Sequence, residues 1–467
     1  MSVLFICLRL KTLGHLLMWD EALNILSLRN FLANARYEPF YWYYWFHPPL
    51  YMFFAKWLGP FAAGFDVRVE ALSLVFSYTA FTAMYFLSKR IGGAGYALLC
   101  CFFLCFMPGA IGYASWVKRD GLAAALGYAA VFVLLEKRFF LCSVLLGFSL
   151  LAKENAVFFI LAASIMVLIM AEKKSFPKLA LMYSVIFIMT SWWYVFFSTM
   201  THSFRDAYFL EGTYLSGGWT QSALYYFGKL IPDAGIPVIV LSLAGICFAL
   251  YNAIVRRERP WAVPVVVCFS VYVPISFLVV SKTPWLVISG FPALAMLSGA
   301  GVLCLFHLKG KSALIKIPAL ALVFLTTVYA GIGFRYDKYH MATYPNGWPG
   351  AASSRALAMF LNDRMGEDDK LVITEFAYWK MPICPVFIYY WTPRSAGSAP
   401  NGWSADDFAG NILINKSSWL AVANSPDPDH NFNGLVADLA GILGEPVKVG
   451  WSYVWDTRAF VKGEDDK

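Results

Sequence analysis

Long apolar runs separated by short polar segments dominate the chain as far as residue 334. A membrane-spanning helix needs about 20 apolar residues, with a range of roughly 17–25. The pattern predicts spans at residues 70–88, 96–112, 121–135, 139–152, 155–171, 179–199, 236–254, 261–280, 284–306 and 313–333. A shorter stub, SVLFICL, precedes Arg9, and we interpret it as the end of a first spanning helix that is cut short in this sequence. With this stub, the chain is expected to have about 11 transmembrane helices.

The pattern changes after Phe334. The runs KLVITEF, SSWLAVANS, KVGWSYVWD and RAFVK are strand-like, whereas SSRALAMFLNDRM and GLVADLAGILG have a helical period. Alternating strand and helix signals are typical of α/β domains. The chain is therefore expected to consist of a transmembrane domain, residues 1–334, and a small C-terminal α/β domain, residues 335–467.

Composition supports a polytopic, α-helical membrane protein. Of the 467 residues, 59% are hydrophobic and only 14% are charged, whereas soluble domains carry about 25% charged residues. The formal net charge is +8, but the basic residues lie in short clusters between apolar runs instead of in one patch. This distribution indicates membrane topology and does not suggest nucleic acid, so none is expected as a partner.

The basic clusters set the orientation. They are Lys89–Arg90, Lys137–Arg138, Lys173–Lys174, Arg256–Arg257 and Lys309–Lys311, and they fall in alternate loops. Because short cytoplasmic loops carry an excess of Lys and Arg, we expect these loops to face the cytoplasm. The other loops, 19–69, 113–120, 153–154, 200–235 and 281–284, then face outward. The C-terminal domain is likewise expected to be extracytoplasmic, with the chain in the cell membrane.

Carboxylates and cations collect in the outward loops. An ionisable group at membrane depth is destabilising by about 3 kcal/mol, so these residues predict a polar cavity that opens to the outside. A carboxylate can take a proton from a hydroxyl, and Lys or Arg can neutralise a departing phosphate. The candidates are Asp20, Glu21, His47, Lys118, Arg119, Asp120, Lys153 and Lys282. Together they suit transfer from a phosphorylated donor.

Simpler interpretations stay open for several of these residues. Lys153–Glu154 could be a solvated turn, and Lys118–Arg119 could bind lipid headgroups. Asp20 and Asp120 could each cap a helix, because Asp is a favoured N-cap residue. The aromatic run FYWYYWF is typical of an interfacial belt.

Five segments carry a resemblance to a known family. They are the Asp20–Glu21 pair with an amphipathic helix and HPPLY, then DVRVEALSLVFS, SWVKRDGLAAALGYAAVFV, SLLAKENAVFFILA and SKTPWLVISGFPALAML. In this order they resemble the GT-C glycosyltransferases, above all the superfamily of protein O-mannosyltransferases and aminoarabinose transferases. The KTPW form is similar to an archaeal and bacterial subgroup named flippase-associated membrane proteins. The resemblance covers residues 18–305.

The resemblance implies a GT-C fold with a catalytic first outer loop, 19–69, and a polyprenyl-phosphate sugar as donor. Asp20 takes the place of the catalytic aspartate, Glu21 that of its acidic neighbour, and Asp120 that of the second aspartate. His47 stands where the transferases have a phosphate-binding Lys, and Phe46 where the aminoarabinose enzymes have a metal-binding Glu. The family pattern therefore gives no support for a metal ion and leaves donor-phosphate binding to the cations, His47, Lys118, Arg119, Lys153 and Lys282.

The resulting hypothesis is an inverting glycosyltransferase that acts on the extracytoplasmic face, with Asp20 as general base. Its partners are a lipid-linked sugar donor and membrane lipid; no cofactor is required, while the acceptor and a divalent metal stay open. One alternative is a transporter or flippase component for lipid-linked sugars, and another is a catalytically inactive scaffold. Charge at loop ends on one face favours the enzyme, because transporters place polar groups near the bilayer midplane on broken helices.

Overall fold

The computed structural model describes residues 1–14, 21–22, 24–26, 28, 49–57, 65–170, 175–196, 219–277, 284–307, 313–336, 338–339, 347–374, 387, 395–399, 403–423 and 432–465. Residue contacts divide the chain into two compact units. The first comprises Met1–His15 and Tyr43–Tyr339, and the second comprises Leu16–Trp42 and His340–Lys467.

The described part of the first unit is helical. Its helices are α1 (Ser2–Leu10), α2 (Leu50–Lys56), α3 (Phe65–Phe106), α4 (Pro108–Gly112), α5 (Asp120–Leu135), α6 (Phe139–Ala152), α7 (Val157–Met170), α8 (Ser175–Phe196), α9 (Trp219–Ala234), α10 (Ile236–Ile254), α11 (Ala262–Phe277), α12 (Phe291–His307) and α13 (Ala313–Ile332). Short 3₁₀ turns at Glu154–Ala156, Arg259–Trp261 and Pro284–Gly290 lead into α7, α11 and α12. Where their residues are described, the spans predicted between residues 70 and 333 all overlap these helices.

Within the described ranges, four helices are long and apolar enough to cross a membrane: Val67–Phe106, Ile236–Ile254, Arg259–Ser276 and Val287–His307. Shorter apolar helices, such as Asp120–Leu135 and Phe139–Ala152, lie between them in the chain. The prediction of a helical membrane protein is confirmed.

Helix α3 contains a break where the sequence separates two spans. Gly92 and Gly93 leave the helical conformation, and Gly93 has φ +82°. Glycine adopts this left-handed region without the steric cost that a Cβ atom brings. The break therefore separates the predicted spans 70–88 and 96–112 even though no long loop lies between them.

Helix α9 lies in the segment that the sequence analysis assigned to an outward loop, 200–235. Lys229, Pro232 and Asp233 make the segment too polar for a spanning run. It is nevertheless helical over Trp219–Ala234, and within it Tyr226 and Ala234 are buried whereas Phe227 and Ile231 are half exposed.

Helices α10 and α12 meet backbone to backbone. A Cβ atom on Gly245 would lie 1.8 Å from the carbonyl oxygen of Leu297, and one on Gly301 would lie 2.0 Å from that of Leu241. Next to this contact the hydroxyls of Ser242 and Ser298 are 2.9 Å apart. Small residues at a helix contact allow such close packing inside a membrane.

The second unit contains a mixed sheet, so the predicted α/β domain is confirmed in its fold. The strands β1 (Lys370–Thr374), β2 (Ser395–Ala399), β3 (Trp419–Ala423), β4 (Val447–Val449) and β5 (Ser452–Asp456) have the order β2-β1-β3-β5-β4. β1 runs parallel to β2 and β3, whereas β5 is antiparallel to β3 and β4. The helices are α14 (Gly347–Arg364), α15 (Ala405–Asn415), α16 (Asn433–Leu443) and α17 (Arg458–Asp465).

The run RAFVK was wrongly predicted as a strand, since it forms the first turns of α17. A strand would point Phe460 and Val461 to opposite faces, whereas both pack against one core, which includes Phe408, Leu420 and Trp455. The run KVGWSYVWD is not one strand but contributes to two, β4 and β5, which are joined through Gly450 at φ +61°.

Candidate functional site

The segment that leads toward Asp20 is anchored by buried polar contacts. Arg9, at the end of α1, is completely buried, and its guanidinium donates to the carbonyl oxygens of Leu104 at 2.8 Å and Cys105 at 3.1 Å. These carbonyls lie in the last turn of α3, where the helix itself supplies no donor. Farther along, the amide of Gly14 donates to a carboxylate oxygen of the buried Glu70 at 2.5 Å.

The predicted loops at 113–120 and 153–154 come together. The amide Nδ2 of Asn155 donates to Oδ1 of Asp120 at 2.7 Å. In the first turn of α5, the carbonyl oxygen of Ala123 accepts a second hydrogen bond, at 2.8 Å, from the hydroxyl of Ser149 in the last turn of α6. These bonds join the start of α5 to the end of α6 and to the turn that follows it. We call Lys118, Arg119, Asp120, Lys153, Glu154 and Asn155 the loop-end cluster.

The three cations and Asp120 of the loop-end cluster are buried in the protein. Lys118, Arg119 and Lys153 are only 5%, 2% and 5% exposed, and Lys153 Nζ lies 3.4 Å from Glu154 Oε1. A solvated turn at Lys153–Glu154 is therefore the wrong interpretation. Burial inside the protein also argues against Lys118 and Arg119 being simple contacts to lipid headgroups.

Asp120 does not act as a helix cap. α5 begins at Asp120 itself, the N-cap position is Arg119, and the Arg119 side chain makes no capping hydrogen bond. The Asp120 carboxyl instead faces Asn155, a residue that the sequence analysis did not select. The signal for Asn155 was its place directly after Lys153–Glu154 at the edge of an apolar run.

The loop after Lys282 is attached to α5 as well. The hydroxyl of Tyr128 donates to the carbonyl oxygen of Ser289, in the turn Pro284–Gly290, at 2.8 Å. Lys282, Asp20 and His47 themselves lie outside the described residues. Glu21 is described: it is helical, completely buried, and belongs to the second compact unit.

Asp233 is a second buried carboxyl that the sequence analysis missed, because its segment was assigned to a loop. It is 1% exposed, and its Oδ1 accepts a hydrogen bond from the hydroxyl of Tyr339. Its Oδ2 has no hydrogen-bond partner in the described part of the chain. Burial raises the pKa of Asp233 to about 7, although the Tyr339 hydrogen bond and the charge of Lys229 act in the opposite direction.

Among the residues with described positions, no three His, Cys, Asp or Glu side chains are grouped so that they could hold a metal ion. Whether the chain uses a divalent metal stays open.

The fold of the chain is shared with solved GT-C enzymes, as the family resemblance predicted. The chain is similar to the structure of ArnT, an aminoarabinose transferase, from Cupriavidus metallidurans in the apo state, with a TM-score of 0.66 and 16% identity over 98% of both chains. The same protein bound to undecaprenyl phosphate gives a TM-score of 0.64 at 15% identity, over 97% of this chain and 96% of that one.

A more distant likeness links the chain to the archaeal oligosaccharyltransferase AglB from Archaeoglobus fulgidus, solved with an inhibitory peptide and a dolichol-phosphate. The TM-score is 0.58 at 10% identity, over 90% of this chain and 68% of that one. No family model and no curated protein matches the sequence. At these identities the likenesses establish the fold.

Proposed function

We propose that the chain is a multi-pass membrane glycosyltransferase that transfers a sugar from a polyprenyl-phosphate-linked donor to an acceptor on the extracytoplasmic face. The observation that carries this proposal is the loop-end cluster, which gathers buried cations and a carboxyl at the ends of apolar helices. The shared fold supports the same proposal, because the similar protein ArnT was solved with undecaprenyl phosphate bound.

The chemistry of the cluster suits such a donor. A polyprenyl phosphate has an apolar tail, for which the spanning helices offer surface, and an anionic head that must be neutralised near the ends of those helices. Lys and Arg form charge-assisted hydrogen bonds to phosphate. Lys118, Arg119 and Lys153 are proposed for this role, together with Lys282 and His47 from the sequence analysis.

The reaction would be an inverting displacement at the anomeric carbon. The acceptor hydroxyl oxygen forms the new bond, the bond from that carbon to the phosphate oxygen breaks, and polyprenyl phosphate leaves. Asp20 takes the hydroxyl proton as general base, Glu21 is its acidic neighbour, and Asp120 orients the acceptor or the base. The cations stabilise the negative charge that develops on the leaving phosphate. The proposal requires no cofactor.

The test is transfer by the purified full chain from a panel of radiolabelled polyprenyl-phosphate sugars. Asp20→Asn keeps the size of the side chain and the ability to cap a helix, but it cannot accept the proton. We expect transfer to fall by about 10²–10⁴-fold, which is the usual contribution of a positioned base, while the melting temperature is unchanged. Asp20→Ala should be equally inactive and also less stable by roughly 1 kcal/mol, because it loses the cap.

Two results would count against these assignments. A fully active Asp20→Asn variant would end the role of Asp20 as general base. A wild-type chain that transfers sugar from none of the donors, although it is folded, would contradict the proposed function itself.

A further inference from the structure

The contact between Asp120 and Asn155 leaves two buried acceptor oxygens unsatisfied. Asp120 is completely buried and Asn155 is 6% exposed. One hydrogen bond joins them, yet Asp120 Oδ2 and Asn155 Oδ1 have no hydrogen-bond partner among the described residues. Nearly all buried polar atoms in proteins are hydrogen-bonded, and a buried acceptor without a donor is destabilising. Both oxygens can therefore accept hydrogen bonds from donors beyond the described residues, a bound ligand among them.

The orientation of the Asn155 amide follows from chemistry. A carboxylate only accepts hydrogen bonds, so the NH₂ group must face Asp120. The opposite orientation would set two acceptor oxygens against each other. The amide oxygen is thus directed away from the Asp120 oxygen that the NH₂ group contacts, and it stays available to a second donor.

The surroundings of the pair indicate the class of ligand. Lys118 and Arg119 directly precede Asp120, and Lys153 is two residues before Asn155. A ligand that fits both the neighbouring cations and the two unsatisfied acceptor oxygens carries an anionic group close to several hydroxyl donors. Phosphate supplies the anion, and the hydroxyls of a pyranose ring supply the donors, so a sugar phosphate combines both within a few bonds.

We propose that Asp120 and Asn155 form the subsite that binds the hydroxyl groups of the donor sugar, with Asn155 also holding the Asp120 carboxyl in position. This inference rests on the proposed function, in which the donor is a lipid-linked sugar phosphate, and it assigns Asp120 to the donor sugar in place of the acceptor or the base. Asn155 then discriminates between a lipid phosphate that carries a sugar and one that does not.

A divalent cation fits the pair less well than a sugar does. Calcium takes 6–8 oxygen ligands and magnesium an octahedral set, as a rule. In the part of the chain that the structure describes, no group of three acidic, His or Cys side chains includes these residues. The hydroxyl groups of a sugar, by contrast, need only acceptor oxygens, and the pair supplies two, Asp120 Oδ2 and Asn155 Oδ1.

The experiment measures binding, so that it does not depend on turnover. The purified full chain in nanodiscs is titrated with undecaprenyl phosphate and with undecaprenyl-phosphate glucose, mannose and galactose, in the presence and absence of EDTA. The variants are Asn155→Leu, of similar size without polar atoms, and Asn155→Asp. The matched control is Asn252→Leu, because Asn252 is also buried and its amide donates within its own helix, to the carbonyl oxygen of Phe248 at 2.8 Å.

We expect wild type to bind at least one glycosylated lipid more tightly than bare undecaprenyl phosphate. Asn155→Leu should weaken binding of that lipid about tenfold, the effect of losing one or two hydrogen bonds, without changing the affinity for undecaprenyl phosphate. Asn155→Asp should weaken it too, because a second carboxyl beside Asp120 disrupts the pair. Asn252→Leu should leave both affinities as in wild type.

Three results would overturn the inference: equal affinity of wild type for bare and glycosylated lipids, unchanged binding of the glycosylated lipid by Asn155→Leu, or an equal loss for both lipids. Loss of sugar discrimination on adding EDTA would assign the pair to a metal instead. A wild type that discriminates between the lipids but transfers no sugar would contradict the proposed function and leave the subsite standing.

Discussion

Replacing Asp233 with asparagine is expected to stabilise the chain at neutral and alkaline pH. The carboxyl is buried, one of its oxygens accepts from Tyr339, and the other has no partner among the described residues. Burial raises its pKa from 3.8 to about 7. Between these values the folded chain holds a proton that the unfolded chain has released. The free energy of unfolding therefore falls as the pH rises through this window and levels off above pH 7.

The size of the effect follows from the shift. From 3.8 to about 7 is about 3 pKa units, each of which corresponds to about 1.4 kcal/mol, so Asp233 destabilises the folded chain by up to about 4 kcal/mol above pH 7. Below the lower of these two pKa values the carboxyl is protonated in both states and contributes no pH dependence. The introduced asparagine would keep an acceptor for the Tyr339 hydroxyl and carries no charge. The variant should thus match wild type near pH 4 and exceed it near pH 8.

The assay is thermal unfolding of the purified chain in one detergent at intervals from pH 4 to pH 8.5, with Asp233→Asn and wild type side by side. Other carboxyl groups contribute equally to both proteins, so the difference between the two melting temperatures isolates Asp233. Tyr339→Phe is the control: it removes the donor but keeps the carboxyl, and it should steepen the pH dependence. A difference between Asp233→Asn and wild type that is constant with pH would refute the reasoning.

Three further predictions concern packing, capping and orientation. Gly245→Ala should destabilise the chain strongly, because its Cβ would clash with the carbonyl oxygen of Leu297. Gly95→Ala is the control and should be neutral, because nothing lies within 4 Å of its Cβ. Equal melting temperatures for the two variants would contradict this prediction. Ser404 forms a capping box at the start of α15. Ser404→Ala should therefore lower the free energy of unfolding by about 1 kcal/mol, and Ser404→Gly by a few tenths of a kcal/mol. Denaturant titration would measure both losses, and equal losses would contradict the role of the cap. In a chain without its native cysteines, a cysteine at residue 400 should react with an impermeant maleimide from outside and one at residue 257 should not; the reverse pattern would invert the orientation.

The sequence predicted those parts of the fold that depend on local pattern. Apolar runs near spanning length located the helices from α3 to α13, apart from α9, whose Lys229 and Asp233 interrupt the run. The family resemblance predicted the GT-C fold, which the similar structures confirm. RAFVK was misread because a short apolar stretch has no clear period of its own, and only packing of Phe460 and Val461 on the core decides its conformation.

The candidate site was predictable in its charges but not in its pairings. Lys118, Arg119, Asp120 and Lys153 stand out because they lie between two apolar runs with almost no loop to solvate them. The bond from Asn155 to Asp120 could not be predicted, because it depends on how α5 and α6 pack through contacts such as the one from the Ser149 hydroxyl to the backbone of α5. The same packing decides that Asp120 contacts a neighbouring loop and does not cap its own helix.

The close contact between α10 and α12 limits how the molecule can move. Where Gly245 and Gly301 set one backbone against the other, there is no layer of side chains that could repack to accommodate sliding. The two helices are therefore expected to travel as one rigid body. α12 continues directly from the turn Pro284–Gly290, so this turn is fixed to the rigid pair. For the proposed lipid-linked donor, any opening that admits or releases the lipid tail must then occur at other helix contacts, while the turn Pro284–Gly290 keeps its place.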